Sequence, residues 1–129
     1  MNKTILSTAA LLGGLAVIIG AFGAHGLENR LEADQLNTFE TGVKYQMYHA
    51  IVLLFLGIAK IFSETTKRVL FMLFLGGVIL FSGSIYGLAT NSLSAFDFKQ
   101  IGFITPIGGL LLILGWGIML YKIITLKLK

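Results

Sequence analysis

Three long stretches of this chain contain no Asp, Glu, Lys or Arg. They lie between Lys3 and Glu28, between Arg68 and Asp97, and between Lys99 and Lys122. A helix needs about 20 mostly apolar residues to cross roughly 30 Å of membrane hydrocarbon. We therefore predict membrane-spanning helices at about 4–24, 69–90 and 103–121.

A fourth span is predicted at about 43–62, although charges bound it closely. The uncharged part, 45–59, covers only about 22 Å as a helix. Lys44 and Lys60 would therefore have to extend their side chains toward opposite membrane surfaces. The alternative is a segment that crosses half of the bilayer. We favour a full crossing because the two lysines stand at the two ends.

The segment between the first two spans has its own pattern. Leu31, Leu36, Phe39 and Val43 recur at loosely helical spacing, with charged residues between them. This pattern predicts a short amphipathic helix at the outer interface, running into helix two. Aromatic residues favour membrane interfaces, so we expect an outer and an inner pair. The pairs are Tyr45 with Tyr48, and Trp116 with Tyr121.

The expected fold is an all-α integral membrane four-helix bundle, with that short amphipathic outer helix between helices one and two. It forms a single transmembrane domain over 1–129. The start of the chain also has features of a cleaved signal peptide, namely Lys3, an apolar run and small residues at 21–23. Because the apolar run is long, we expect a retained first helix.

Composition agrees with a membrane protein. Hydrophobic residues make up 56% and charged residues 12% of the chain, whereas soluble domains carry about 25% charged residues. The net charge is +4, but the basic residues form no stripe, so we expect no nucleic-acid partner. The absence of cysteine excludes disulfides, thiolate metal sites and cysteine nucleophiles.

The distribution of basic residues predicts the orientation. With four spans, one side carries Lys3, Lys60, Lys67, Arg68, Lys122, Lys127 and Lys129. The other side carries Arg30, Lys44 and Lys99. Loops richer in Lys and Arg stay in the cytoplasm. Both termini should therefore be cytoplasmic, in a multi-pass protein of the bacterial cell (inner) membrane.

A weak internal repeat links the first and third helices. Gly13-Gly14 followed by Gly20 has the same spacing as Gly76-Gly77 followed by Gly83, at an offset of 63 residues. This suggests a parallel duplication, with helices one and three near the centre. The spacing of small residues also predicts close helix packing, within the chain or between subunits. The packing candidates are Ala16, Gly20, Gly23, Ala24, Gly83 and Gly87.

Polar residues near the outer ends of the spans form a candidate ligand or polar cluster. Its members are His25, Tyr45, Gln46, His49, Tyr86 and Thr105. Ionisable groups within a membrane are candidates for function. Two histidines at similar depth could bind a metal, a haem iron or a quinone. Alternatively, His25 caps helix one and His49 bonds a neighbouring helix. We expect no metal and no cofactor, because a metal site usually needs three or four ligands.

Four sequence blocks resemble a family of small bacterial four-helix membrane proteins with no assigned activity, the YgdD-like and YwdK-like proteins. They are 20–26 (GAFGAHG), 39–50 (FETGVKYQMYHA), 81–86 (FSGSIY) and 104–109 (ITPIGG). They occur in the right order over nearly the whole chain. The resemblance implies a four-helix inner-membrane protein and supplies no activity.

The leading functional interpretation is a non-enzymatic membrane protein. It would act by packing against itself as a homo-oligomer, against lipid of the bilayer, or against a partner membrane protein. The sequence has no catalytic constellation, and no Asp, Glu, Lys or Arg lies at the middle of any span. One alternative is a metal, haem or quinone site at His25 and His49. Another is a small oligomeric channel or transporter.

Overall fold

Four α-helices form from the apolar stretches, as seen in a computed structural model that describes residues 2–127. They are α1 (Asn2–His25), α2 (Ala33–Ile58), α3 (Glu64–Ala89) and α4 (Ile104–Ile124). Short 3-10 turns at Asn91–Leu93 and Phe98–Ile101 lie between α3 and α4. Within residues 2–127 every regular element is helical, which confirms the predicted all-α fold.

Three stretches are long and apolar enough to cross a membrane: Asn2–His25, Glu64–Ala89 and Phe98–Ile124. The second helix falls outside this group because its first half is polar and includes Asp34, Glu40 and Lys44. Yet α2 packs along α1 from one end to the other. A crossing by α2 therefore stays a prediction, and this side-by-side packing favours it.

The second helix begins ten residues before the predicted span and ends earlier. The Glu32 N–H donates to Gln35 Oε1 at 3.0 Å, which supports the first turn. The helix ends at Ile58 because Ala59 takes an extended conformation. At the start of α3, Ser63 Oγ accepts a hydrogen bond from the Thr66 N–H at 3.2 Å. Residues 59–63 are therefore a short connection.

The amphipathic outer segment is the first part of α2 and not a separate helix. Its apolar residues Leu31 and Phe39 are buried with Leu27 and Ala89, next to α1 and α3. The apolar face thus packs inside the bundle, where we had expected it to lie on the membrane surface. A second, larger apolar cluster fills the other half of the bundle around Phe74.

The two helix hairpins have the same antiparallel register. In the first hairpin, Gly20 faces Val43, and the two residue numbers total 63. In the second, Gly77 faces Leu112 and the numbers total 189, which is the total obtained when both helices shift by 63 residues. This match favours the predicted repeat. However, α2 and α3 form the central contact between the hairpins. Helix α1 is peripheral, with 17% of its spanning window buried against 39% for α3.

One end of the bundle carries a level of basic side chains. The registers put Lys3 opposite Lys60, and Lys67 opposite Lys122. Lys67 Nζ donates to Asn2 Oδ1 at 3.1 Å, which brings the two pairs together. We call this level the basic end. Charge is costly in hydrocarbon, so the basic end marks one membrane boundary. Its cytoplasmic location stays a prediction, and Lys129, counted in it, lies outside the described residues.

The middle of the bundle lies about ten residues, or roughly 15 Å, from the basic end along each helix. On α1 and α2 this depth corresponds to Gly13 and Ala50. These residues face one another, since a Cβ added to Gly13 would lie 3.7 Å from Ala50 Cβ. His49 is adjacent to Ala50 and is therefore placed at mid-depth, between the two apolar clusters.

Candidate functional site

His49 is buried at mid-depth, and both nitrogens of its ring are hydrogen-bonded. Its side chain is 3% exposed. Nδ1 lies 2.7 Å from the Tyr45 carbonyl oxygen one turn earlier on α2. Nε2 lies 3.1 Å from Trp116 Nε1 on α4. A carbonyl oxygen only accepts and an indole N–H only donates. The ring therefore carries its proton on Nδ1 and accepts the Trp116 proton at Nε2.

Aromatic rings surround this imidazole. The ring of Phe74 lies 5.6 Å from it, that of Trp116 6.1 Å, and that of Tyr45 6.3 Å, measured between centroids. We had expected Trp116 near the inner interface. Instead, it stands about 9 Å from the basic end, six residues before Lys122, and its indole is directed at His49. An indole N–H within hydrocarbon needs an acceptor, which His49 provides.

A second polar chain connects three helices. Tyr86 OH on α3 donates to Gln46 Oε1 on α2 at 2.7 Å. Gln46 Nε2 in turn donates to the Leu12 carbonyl oxygen on α1 at 2.8 Å. The tyrosine ring also packs on Phe39, with centroids 5.1 Å apart. Every polar atom of Gln46 thus has a partner, and this chain links α1, α2 and α3.

Two hydroxyl contacts complete the links between helices. Ser82 Oγ, which is fully buried, donates to the Gly42 carbonyl oxygen at 2.7 Å. Ser84 Oγ and Thr105 Oγ1 lie 2.5 Å apart and join α3 to α4. Thr105 therefore belongs to a separate pair and not to the cluster around His49.

His25 does not join the other predicted cluster residues. It is exposed and lies at the last residue of α1. His49 faces α1 near Gly13, about eleven residues away, which is roughly 17 Å along the helix. Two ligands of one metal each lie only about 2 Å from it. The prediction of similar depth assumed that α2 starts near residue 43. The earlier start carries His49 three turns deeper.

Four of the six predicted packing residues contact other helices of the same chain or are buried. Ala16 and Gly23 are buried, and a Cβ on Gly23 would lie 2.5 Å from the Phe39 ring. Gly20 faces Val43, and Gly87 lies under Phe98. By contrast, Ala24 and Gly83 are exposed. A Cβ on Gly83 would meet nothing within 4 Å, so Gly83 faces outward.

The sequence analysis missed several residues that the structure brings into the site. Trp116 and Ser82 were not assigned to the cluster, although a lone tryptophan within a span is a signal for a buried partner. Gly108 was not singled out either. A Cβ added there would collide with the backbone of Leu80 and Phe81, so this glycine sets the closest approach of α3 and α4.

A groove opens beside His49, between α2 and α4 and above α3. Its volume is about 280 Å³ and its lining is mainly apolar. The lining residues are Tyr45, His49, Phe81, Gly109, Leu112, Ile113 and Trp116. Half of its boundary is open, and it faces the hydrocarbon region of the membrane. We call it the mid-depth groove.

The geometry limits the chemistry that the polar residues can perform. The lone pair of His49 Nε2 is engaged by Trp116, and the Tyr86 hydroxyl by Gln46. In residues 2–127, no three His, Cys, Asp or Glu side chains are grouped so that they could hold a metal ion. The arrangement holds helices together and leaves an apolar groove open to lipid.

Comparison with known proteins confirms the resemblance found in the sequence. A family described as protein of unknown function (DUF423) matches residues 19–109, a range that includes all four sequence blocks. A UPF0382 membrane protein of Staphylococcus saprophyticus is 43% identical over 114 residues, which cover 88% of this chain and 91% of that protein. No solved structure matches the chain.

Two further relatives carry the names that the resemblance suggested. The UPF0382 membrane protein YwdK of Bacillus subtilis is 40% identical over 119 residues, covering 88% of this chain and 90% of YwdK. The UPF0382 inner membrane protein YgdD of Escherichia coli is 36% identical over 129 residues, covering 99% of this chain and 95% of YgdD. With the apolar helices, these matches identify a membrane protein. The chain belongs to the DUF423 family.

Proposed function

We propose that this protein is non-catalytic and acts in the bilayer by packing, with the mid-depth groove as a binding site for the hydrocarbon chain of a membrane lipid. The observation that carries the proposal is the groove itself. It is apolar, half-open and placed where lipid chains surround the bundle.

The size of the groove favours a single chain over a protein helix. One turn of a helix 10 Å across occupies about 400 Å³. The groove holds about 280 Å³, with aromatic rings on several sides. A narrow unbranched chain can enter such a space, whereas a helix from a second protein cannot. Burial there adds contacts with Phe81 and Trp116 that a chain in bulk lipid lacks.

The hydrogen bonds of the site support a non-catalytic role. A general base needs a lone pair within reach of its substrate. The one acceptor nitrogen of His49 faces Trp116, and its other nitrogen faces the Tyr45 carbonyl. The polar groups therefore stabilise the walls of the groove, and the apolar surface makes the contact with the ligand.

Fluorescence of Trp116 tests the proposal, because the chain contains one tryptophan. Trp116 lines the groove. In vesicles of phosphatidylcholine brominated near the ends of its chains, Trp116 should be quenched. Gly109→Leu should reduce this quenching by filling the groove. A Cβ at Gly109 would lie 3.6 Å from Phe81, an ordinary contact, so the helix accepts the substitution.

The matched control is Gly83→Leu. Gly83 is exposed on α3 with nothing within 4 Å of an added Cβ, and it is not part of the groove. Quenching should remain at the native level in this variant, with an unchanged circular dichroism spectrum in both. Equal quenching in the native protein and in Gly109→Leu would refute a chain in the groove.

A further inference from the structure

A second cavity lies at the basic end, between the start of α3 and the end of α4. Its volume is about 230 Å³. Lys122 and Lys127 line it, together with the side chains of Ser63, Thr66 and Thr125. Ammonium groups and hydroxyls are hydrogen-bond donors, and the lysines supply positive charge. This lining fits an anion with several acceptor oxygens.

The charge around this cavity favours an anion as well. The described residues at this end include one acidic side chain, Glu64, and six basic ones, which gives an excess of five positive charges. The basic residues are Lys3, Lys60, Lys67, Arg68, Lys122 and Lys127. Lys67 is buried and bonded to Asn2, whereas Lys122 and Lys127 are exposed at the cavity.

The depth of the cavity matches that of a phospholipid headgroup. Lys122 lies at the basic end, where the hydrocarbon begins. From Thr125 in the cavity to Trp116 in the groove, α4 runs nine residues, or about 14 Å. One leaflet contributes about 15 Å of hydrocarbon. A phospholipid with its phosphate in the cavity would therefore have its chain end at the level of the mid-depth groove.

We propose that the cavity at the basic end binds the headgroup phosphate of an anionic phospholipid. A choline or ethanolamine headgroup would bring a second cation beside Lys122 and Lys127, whereas the glycerol of phosphatidylglycerol is neutral. Basic pockets between membrane helices bind anionic headgroups in this manner. The placement of the chain rests on the proposed function, whereas recognition of the headgroup depends on the two lysines alone.

The test uses the full chain in nanodiscs of phosphatidylcholine with increasing phosphatidylglycerol, and native mass spectrometry to count retained phosphatidylglycerol. The double variant Lys122→Gln, Lys127→Gln should raise the mole fraction needed for half-occupancy by about 30-fold. The matched control is Lys44→Gln, Lys99→Gln, which removes the same charge near the opposite end. This control should retain the lipid as the native protein does.

Three further arms make each result decisive. Lys122→Arg, Lys127→Arg keeps the charge and should keep the lipid. Equal loss in both glutamine variants would overturn the site, because it would show a general charge effect. Displacement of the lipid by millimolar inorganic phosphate would overturn the lipid assignment in favour of the free anion. Gly109→Leu should leave headgroup selectivity intact, so the groove proposal can fail without this one.

Discussion

Trp116 Nε1 lies 3.1 Å from His49 Nε2, so a single hydrogen bond joins α4 to α2 at mid-depth in the bundle. It crosses the mid-depth groove and orients both rings that line it. The imidazole is held from its other side by the Tyr45 carbonyl oxygen. A histidine in a membrane span is a candidate for ligand binding, but here the same residue holds two helices in register.

Trp116→Phe should destabilise the protein, because it removes the indole donor and leaves His49 Nε2 without a partner. Hydrogen bonds between membrane helices contribute about 0.6 kcal/mol on average and up to about 1.7 kcal/mol. We expect a loss in this range in the free energy of unfolding, measured by denaturant titration in mixed micelles.

A double-mutant cycle with His49→Leu separates the bond from the loss of aromatic packing. The coupling between the two substitutions should be about 0.5–1.7 kcal/mol. If the losses of the two single variants simply add, the hydrogen bond does not contribute to stability and the assigned ring tautomer loses its support.

The sequence predicted the helices because each long uncharged run has one stable solution in a membrane. The pairing of His49 with Trp116 could not be predicted in this way. It depends on the register between α2 and α4, which are far apart in the chain. That register follows from an early start of α2 at Ala33, and the charges of its first half concealed this start.

The packing glycines illustrate the same limit. Gly20 and Gly23 were predicted from their spacing, and both face α2. Gly83 has equally favourable spacing but faces outward. Spacing shows that small residues share a helix face, but not which neighbour that face meets. Gly108 and Gly42 make close approaches without belonging to the motifs that were singled out.

Gly108→Ala should weaken the contact between α3 and α4. A Cβ at this position would lie 2.8 Å from the carbonyl carbon of Leu80, and backbone cannot move aside as a side chain can. Forcing extra volume into a packed contact costs about 1–3 kcal/mol. Thermal unfolding in detergent should show a lower midpoint for this variant.

The matched control for Gly108→Ala is Gly117→Ala on the same helix. A Cβ at Gly117 would meet nothing within 4 Å. Replacing glycine by alanine within a helix then gains about 0.5–1 kcal/mol, so the unfolding midpoint should stay or rise. Equal midpoints for the two alanine variants would show that α3 and α4 do not approach closely at Gly108.

Labelling of single cysteines should show that α2 crosses the membrane. The native chain contains no cysteine, so each introduced thiol reports alone. Asn29→Cys, Ser94→Cys and Thr65→Cys all replace exposed residues outside the cores of the helices. With four spans and cytoplasmic termini, an impermeant maleimide should label positions 29 and 94 in intact spheroplasts, and position 65 only after lysis.

The pattern of labelling separates the two parts of this prediction. Joint labelling of positions 29 and 65 would mean that α2 returns to the side from which it started, which contradicts four spans. Labelling of position 65 alone would retain four spans and reverse the orientation inferred from the basic end. That outcome would move the cavity with Lys122 and Lys127 to the outer leaflet, while the antiparallel packing of α2 on α1 would remain as described.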